Sequence, residues 1–215
     1  MSVIKDLFSD ISERFRARNV PLKYTKRNGY IVVEGYREGL TPRAEVPSEI
    51  IGLPVREIAP RAFIECPFLY EMYIRDGVER VGANAFSSCD QLSLVHMDDS
   101  VRVIGRNAFF ECENLFCADL SRTLDEIDDK AFYGCRGLRD ITLPDSLRRI
   151  GERAFYGCTQ LTSVKIPVNL KEIYRSTFEN CPELCDIYIE RGSPADIVLS
   201  QSEHYSKKLR YVPRI

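Results

Sequence analysis

A spacing of 23 residues constrains the fold of this chain more than any other feature. Six of the eight cysteines recur at that interval, each with a phenylalanine three residues earlier and a leucine three residues later. The cysteines at this interval are called the spine cysteines: Cys66, Cys89, Cys112, Cys135, Cys158 and Cys181. The phenylalanines are Phe63, Phe86, Phe109, Phe132, Phe155 and Phe178. Self-similarity at a fixed period of this length predicts a stack of structural repeats.

Each unit combines a strand pattern with a stripe of apolar residues. After Leu138, the apolar residues Ile141 and Leu143 alternate with polar ones, which indicates a strand. Burying roughly seven or eight apolar side chains contributes about 1.5–3 kcal/mol each, but ordering the unit costs about 1–2 kcal/mol per residue. A single unit would not fold alone. We therefore predict six stacked 23-residue repeats, with strands about 4.8 Å apart in one parallel sheet.

One recurring order of residues resembles the BspA-type leucine-rich repeats of bacteria and some protozoan parasites: Leu138-x-x-Ile141-x-Leu143-Pro144-x-x-Leu147-x-x-Ile150-Gly151-x-x-Ala154-Phe155-x-x-Cys158. The resemblance covers roughly residues 46–190, and residues 24–36 and 192–195 are similar to that family's flanking segments. It implies an α/β fold, a right-handed solenoid with a parallel sheet on the concave side and short helices or 3-10 turns on the convex side. It also implies protein recognition or adhesion, with no shared catalytic residues.

The flanking segments predict caps around a solenoid at residues 46–190. Residues 1–20 are predicted to form an amphipathic capping helix, with Ile4, Leu7, Phe8, Ile11 and Phe15 at helical spacing. Residues 21–45 are predicted to form a β-hairpin cap, because Asn28-Gly29 is typical of a type I′ turn. Residues 191–215 form a predicted C-terminal cap. A partner-binding or dimerising role for the first helix is the alternative, so we expect a monomer or a weak homo-oligomer.

The cysteines predict neither a disulfide framework nor a metal site. Parallel side chains pointing into one core lack the crossed geometry that a disulfide requires. A metal site is not expected, because the chain has two histidines and no Cys-x-x-Cys motif. We predict buried, reduced spine cysteines, with Cys117 and Cys185 as the reactive thiols.

The outward positions of the predicted strands form a candidate protein-binding surface on the concave face. Tyrosines and a central apolar patch with a polar rim are typical of protein interfaces, and the acidic side chains favour Arg or Lys on the partner. The predicted binding residues are Glu71, Tyr73, Leu94, His96, Phe116, Cys117, Asp119, Asp140, Thr142, Lys165 and Tyr188.

A second aromatic column, Phe110, Tyr133 and Tyr156, recurs two residues before the spine cysteine. We interpret it as stacking between repeats that stabilises the solenoid, with a second binding face as the alternative.

Catalysis is not predicted. Cys117, His96 and Asp119 are close enough on neighbouring strands for a thiol site to be conceivable. A flat sheet, however, offers no strained turn and no free amides for an oxyanion, so we interpret the group as a surface ion pair. Common nucleotide-binding, metalloprotease and hydrolase motifs are absent from the sequence. We therefore expect no enzyme activity and no cofactor.

The charge balance and apolar runs predict the class of partner and the location. Thirty basic and 32 acidic residues give a net charge of −2, which disfavours nucleic acid as a partner. No apolar run is long enough to span a membrane, and Asp6, Asp10 and Glu13 interrupt the first 20 residues where a signal peptide would be apolar. We predict a cytoplasmic, non-catalytic protein-binding scaffold. The alternative is a surface adhesin exported by an unrecognised route.

Overall fold

Two parallel sheets run along a stack of chain turns in the computed structural model, which describes residues 22–213. The predicted N-terminal helix at residues 1–20 lies outside the described residues. Sheet I contains the predicted strands that follow each leucine: β3 (Arg43–Val46), β6 (Glu71–Ile74), β8 (Leu94–Met97), β10 (Cys117–Asp119), β12 (Asp140–Ile141), β14 (Ser163–Lys165), β15 (Asp186–Glu190) and β16 (Leu209–Val212). Sheet II contains β1 (Leu22–Arg27), β2 (Tyr30–Tyr36), β5 (Leu53–Ile58), β7 (Arg80–Val81), β9 (Val103–Ile104), β11 (Glu126–Ile127) and β13 (Arg149–Ile150), with β4 (Glu49–Ile50) antiparallel to β5.

Strand pairing keeps equivalent residues of neighbouring turns side by side. In sheet I, Met72 pairs with Val95, and in sheet II, Ile127 pairs with Ile150. A parallel-sheet solenoid with few helices, as the sequence predicts, is therefore the fold of the protein.

The turns between the two sheets contain backbone hydrogen bonds of the expected 3-10 type, such as Cys89 N to the Phe86 carbonyl, and sheet II is an addition to the predicted architecture. Among the described residues, the helical segments are a 3-10 helix at Arg175–Phe178, α1 (Pro194–Leu199) and α2 (Glu203–Ser206). In each repeat the chain instead reverses through residues in the left-handed region, which breaks any helical run. These positive-φ residues recur in register as Asn84, Asn107, Lys130 and Arg153, and as Ser88, Glu111, Gly134, Gly157 and Asn180.

Sheet I is interrupted, although the sequence predicts one continuous sheet. Strands β10-β8-β6-β3 form one run and β12-β14-β15-β16 another, so β10 and β12 are not paired. The interruption lies between Ala118 and Ile141 of the inward column, whereas Ala44 at the other end of that column pairs with Met72. Ala118 and Ile141 on its two sides are 8% and 7% exposed, whereas Val95 is fully buried. The inward side chains at this junction are therefore slightly more exposed than those of the paired strands.

The core is organised around a continuous stack of phenylalanine rings. The centroid separations are 5.1 Å from Phe63 to Phe86, from Phe86 to Phe109 and from Phe109 to Phe132. Tyr36 extends the stack at one end, 6.1 Å from Phe63. Burial of these rings supplies a large share of the hydrophobic stabilisation.

The spine cysteines link each turn of chain to the turn before it. The Cys112 Sγ donates to the backbone carbonyl of Phe86 at 3.0 Å, and the Cys135 Sγ donates to that of Phe109 at 3.1 Å. Cys89, Cys158 and Cys181 make the same contact, and all six spine cysteines are buried and free of disulfides. A thiol therefore fills the turn and satisfies a carbonyl at the same time.

The sign of the charge alternates between equivalent side chains of successive repeats, in the column just before the sheet II strands β7, β9 and β11. Arg56 pairs with Glu79 at 2.8 Å, and Arg102 pairs with Asp125 at 3.1 Å, each one repeat further along the chain. In the adjacent column, Arg149 contacts Glu126 at 2.9 Å. Because stacked strands place equivalent side chains next to each other, alternation avoids repulsion between like charges. The alternation is visible in the 23-residue register of the sequence, but it is not among the predictions made from that register.

The two ends of the stack carry different caps. At the first end, β1 and β2 form a hairpin whose turn holds Asn28 and Gly29 at positive φ. At the other end, α1, α2 and β16 follow β15, and the buried Tyr205 donates its hydroxyl to the Arg175 carbonyl at 2.8 Å.

We expect Phe109→Ala to lower the free energy of unfolding by about 3–5 kcal/mol, because its ring is fully buried between two others. Chemical denaturation followed by circular dichroism measures the change. Phe116→Ala is the matched control, because that ring is 55% exposed and its loss should lower the free energy by less than about 1 kcal/mol. Equal losses in the two variants would contradict the stacked core.

Candidate functional site

The predicted binding residues lie on or beside the outward face of sheet I. Glu71, Leu94 and Cys117 are paired in one row across β6, β8 and β10. Beyond the interruption, Asp140 belongs to β12 and Lys165 pairs with Tyr188. Tyr73, His96 and Asp119 form the parallel row, Thr142 follows β12, and Phe116 precedes β10. The residues therefore share one surface, but their exposures differ.

Tyr73 is mostly buried, which corrects the expectation of an exposed aromatic anchor. Its side chain is 6% exposed, and its hydroxyl donates to Glu71 Oε2 at 2.9 Å. Burial, together with this hydrogen bond, raises the pKa of Tyr73 to about 12. Arg43 Nε contacts the other oxygen of Glu71 at 3.0 Å, and the Arg75 guanidinium lies 5.4 Å from the Tyr73 ring centroid. Tyr73 is thus a structural residue at the start of the face.

His96 is held between two carboxylates at the centre of the first run of strands. Its Nδ1 lies 2.7 Å from Asp119 Oδ2, and its Nε2 lies 2.9 Å from Asp98 Oδ1. The hydrogen bonds to Asp119 and then Asp98 raise the pKa of His96 to about 9, against the opposing effect of burial. The imidazole is therefore a cation at neutral pH.

The conceivable thiol site is not activated in this arrangement. A general base for Cys117 would need an imidazole nitrogen facing the thiol, but both nitrogens of His96 face carboxylates. Burial, and then the charge of Asp119, raise the pKa of the Cys117 thiol. Reactive thiols require the opposite shift. The geometry matches the ion-pair interpretation.

Ion pairs within the face neutralise much of the acidity that the sequence suggests. Glu71 is paired with Arg43, and Glu45 with Arg75 at 3.0 Å. Asp98 and Asp119 share His96, and Asp186 contacts Arg210 at 2.7 Å. Outside these ion pairs, the exposed members of the predicted set are Phe116, Asp140, Thr142, Lys165 and Tyr188.

A row of exposed side chains borders sheet I on the turn that precedes each strand. Tyr70 is 47% exposed and Phe116 is 55% exposed, with Ser93 between them. Sequence reasoning included Phe116 but missed Tyr70. The available signal was the fourth position after each spine cysteine, which reads Tyr70, Ser93, Phe116, Arg139, Thr162 and Cys185.

The second aromatic column is occupied by its own stacking. Phe110 and Tyr133 lie 4.9 Å apart, and Tyr133 and Tyr156 lie 4.7 Å apart, with nearly parallel rings. Asn180 Nδ2 donates to the Tyr156 hydroxyl at 2.6 Å. The ring faces within the column contact one another, so the column stabilises the stack of repeats as predicted.

Metal and membrane features are absent from the part of the chain that is described. Between residues 22 and 213, no group of three His, Cys, Asp or Glu side chains is arranged to hold a metal ion. None of the helices there is long and apolar enough to cross a membrane.

Comparison with known families decides the classification. Residues 56–185 match the BspA type leucine-rich repeat region in six copies. The chain belongs to the BspA-type leucine-rich repeat family. The resemblance drawn from its recurring Leu, Phe and Cys positions is thereby confirmed.

Solved structures of leucine-rich repeat proteins share this BspA-type fold. The T. pallidum leucine-rich repeat protein TpLRR, known from a crystal structure, has 31% sequence identity to this chain and a TM-score of 0.76. The match covers 80% of this chain and 81% of TpLRR. A protein from Bacteroides ovatus is 30% identical with a TM-score of 0.70, over 81% of this chain and 47% of that one. A leucine-rich cell surface protein from Faecalibacterium prausnitzii is 28% identical with a TM-score of 0.55, over 80% and 53%. The chain thus spans about half of the last two proteins. No curated protein matches it.

The His96 ion pairs predict a pH-dependent contribution to stability. The folded-state pKa of about 9 lies above the unfolded value near 6.5, so this contribution is complete below about pH 6.5 and disappears as the pH rises through 9. We expect His96→Gln to lower the free energy of unfolding by on the order of 1–2 kcal/mol at pH 6, after allowance for solvent screening at Asp119.

Denaturation of both proteins between pH 6 and 10 measures the difference, and the imidazole NMR shifts give the pKa of His96 directly. A difference that grows with rising pH would contradict the paired imidazolium.

The exposure of each cysteine side chain predicts the order in which the thiols react with a labelling reagent. Cys185 is exposed and Cys117 half-buried, whereas burial raises the pKa of spine thiols such as Cys112 and Cys135. With an aromatic disulfide reagent, we expect Cys185 to react first, Cys117 more slowly, and the spine cysteines after unfolding. Cys185→Ser should remove the fastest phase. Labelling of spine cysteines at the rate of Cys185 in the native protein would contradict the buried register.

Proposed function

We propose that the protein is a non-catalytic protein-binding module that recognises a partner through the outward face of sheet I. Membership of the leucine-rich repeat family supports an interaction role. The observation that carries the proposal is the arrangement of side chains on this sheet. Paired strands hold Leu94 and Cys117 side by side, and Phe116 stands exposed beside them.

A rigid face lowers the entropic cost of association. The side chains of sheet I project from backbone that is hydrogen-bonded to neighbouring strands within each run. Ion pairs further restrain Tyr73 and His96 through Glu71, Asp98 and Asp119. Because little of this surface needs to be ordered on binding, a few aromatic and apolar contacts can supply the affinity.

A role at the cell surface is the second candidate function. It is supported by the similarity to the F. prausnitzii protein, which is described as a leucine-rich cell surface protein. In this case the same face of sheet I would contact a protein of another cell instead of an internal partner. Protease treatment of intact cells distinguishes the two roles, because a surface protein is digested and an internal one is protected.

Photo-crosslinking from single positions tests the binding face. A benzophenone amino acid at Thr142 or Lys165 reports on sheet I, and the same group at Arg148 or Lys171 reports on the exposed column beside sheet II. All four side chains are exposed, so the replacements should leave the fold unchanged. In cells of the producing organism, we expect protein adducts from the two sheet I positions and at least fivefold fewer from the control positions.

Adducts formed mainly from Arg148 and Lys171 would place the interface on sheet II. Absence of adducts from all four positions would contradict a protein-binding role.

A further inference from the structure

Two exposed aromatic side chains, Tyr70 and Phe116, lie two turns of chain apart beside the first run of sheet I. Ser93 N donates to the Tyr70 carbonyl at 2.8 Å, and Phe116 N donates to the Ser93 carbonyl at 3.1 Å. These bonds place the three residues in one column on successive turns of chain. Since neighbouring strands are about 4.8 Å apart, the Tyr70 and Phe116 backbones are about 10 Å apart. That separation leaves room for one side chain between the rings.

Ser93 keeps this gap open. Its hydroxyl folds back and donates to the Tyr70 carbonyl at 2.9 Å, so it is satisfied within the protein. The side chain is also small, and the adjacent Leu94 is only partly buried. The gap between Tyr70 and Phe116, with Ser93 at its floor, is called the aromatic notch.

Phe116 is also open on its other side. A groove of about 560 Å³ separates it from Arg139 and Gln160, and Gly137 lies at its base. A Cβ atom at Gly137 would lie 3.1 Å from the Glu113 carbonyl oxygen, which explains why glycine is suited to this close approach. The interruption between β10 and β12 falls at the same junction. The next residue of the column, Arg139, lines the same groove and donates its Nε to Gln160 Oε1 at 3.0 Å, and the Phe116 side chain remains 55% exposed.

The charge near the aromatic notch favours a basic partner. Each of the segments 65–76, 88–99 and 111–122, which form these turns and strands, carries three acidic residues. The cations in the same segments are Arg75, Arg122 and the protonated His96, so nine carboxylates face three cations, whereas the next segment, 134–145, balances two acidic residues with two arginines. Asp90 is exposed on the same turn as Ser93, and no salt bridge engages it within residues 22–213. The local excess of carboxylates attracts cationic side chains.

We propose that the aromatic notch binds an apolar side chain of an extended, basic segment of a partner protein. The apolar side chain contacts the rings of Tyr70 and Phe116, and a flanking Lys or Arg faces Asp90. This assignment rests on the proposed protein-binding function and specifies the partner. It differs from the earlier site in using the turn that borders sheet I as the anchor.

Synthetic peptides test the notch with the protein of 215 residues. The probe is a fluorescent 12-residue peptide of alternating Lys and Ser with a central Leu-Phe pair. One control peptide has Glu in place of Lys, and another has Ser in place of the Leu-Phe pair. We expect the probe to bind at least tenfold more tightly than either control, with an affinity that falls as salt increases.

Variants assign the binding to the notch. We expect Tyr70→Ser/Phe116→Ser to weaken probe binding at least tenfold, with an unchanged circular dichroism spectrum, because both side chains are exposed. Ile197→Ser is the matched control, since that apolar side chain is 58% exposed on α1, and it should leave binding unchanged. Asp90→Asn should reduce the salt dependence of binding.

Equal or tighter binding of the Glu peptide would overturn the basic partner. Unchanged probe binding in the Tyr70→Ser/Phe116→Ser variant would overturn the notch. If crosslinks still form from Thr142 and Lys165 in that case, the protein-binding function stands and only the notch fails. If neither crosslinks nor probe binding are found, both proposals fail.

Discussion

Two contacts that recur between successive turns of chain, stacking of phenylalanine rings and a hydrogen bond from a thiol, support the whole structure. Each phenylalanine ring stacks on the equivalent ring of the next repeat at 5.1–5.4 Å, and each thiol from Cys89 onwards donates to a carbonyl of the preceding turn. Both contacts require the same rise and orientation in every repeat. This requirement fixes the positions of the strands, and the strands in turn fix which side chains face outward. The candidate binding surface is therefore a consequence of core packing.

Stacking also determines how charge can be distributed on the surface. Equivalent positions of neighbouring repeats are adjacent, so a repeated carboxylate would generate a column of like charges. On sheet II the chain alternates sign, as in Arg56, Glu79, Arg102 and Asp125. On sheet I the acidic residues are mostly paired with cations of the same face, and His96 is charged because Asp98 and Asp119 surround it. Apolar side chains such as Phe116 are consequently the more distinctive recognition features.

The sequence predicts those parts of the structure that the repeat period determines. The spacing of Phe and Cys residues predicts the stacked core, and alternation around Ile141 and Leu143 predicts the sheet I strands. Sheet II was missed because its strands are as short as two residues, which is too short for a period to be recognised. The burial of Tyr73 depends on Glu71 and Arg75 closing around it, and alternation alone cannot show this. The interruption between β10 and β12 leaves no trace in the period, because Ala118 and Ile141 occupy the expected apolar positions.

The interruption of sheet I gives the solenoid an unequal stiffness on its two sides. Sheet II continues without a break through β9, β11 and β13, which span the level at which β10 and β12 are unpaired. Strand pairing therefore opposes elongation at this level on the side of sheet II, whereas on the side of sheet I the turn before the strands supplies the backbone bond, from Gly137 N to the Glu113 carbonyl. A partner that bends the solenoid would therefore separate β10 from β12 without breaking a strand pairing, next to the exposed Phe116.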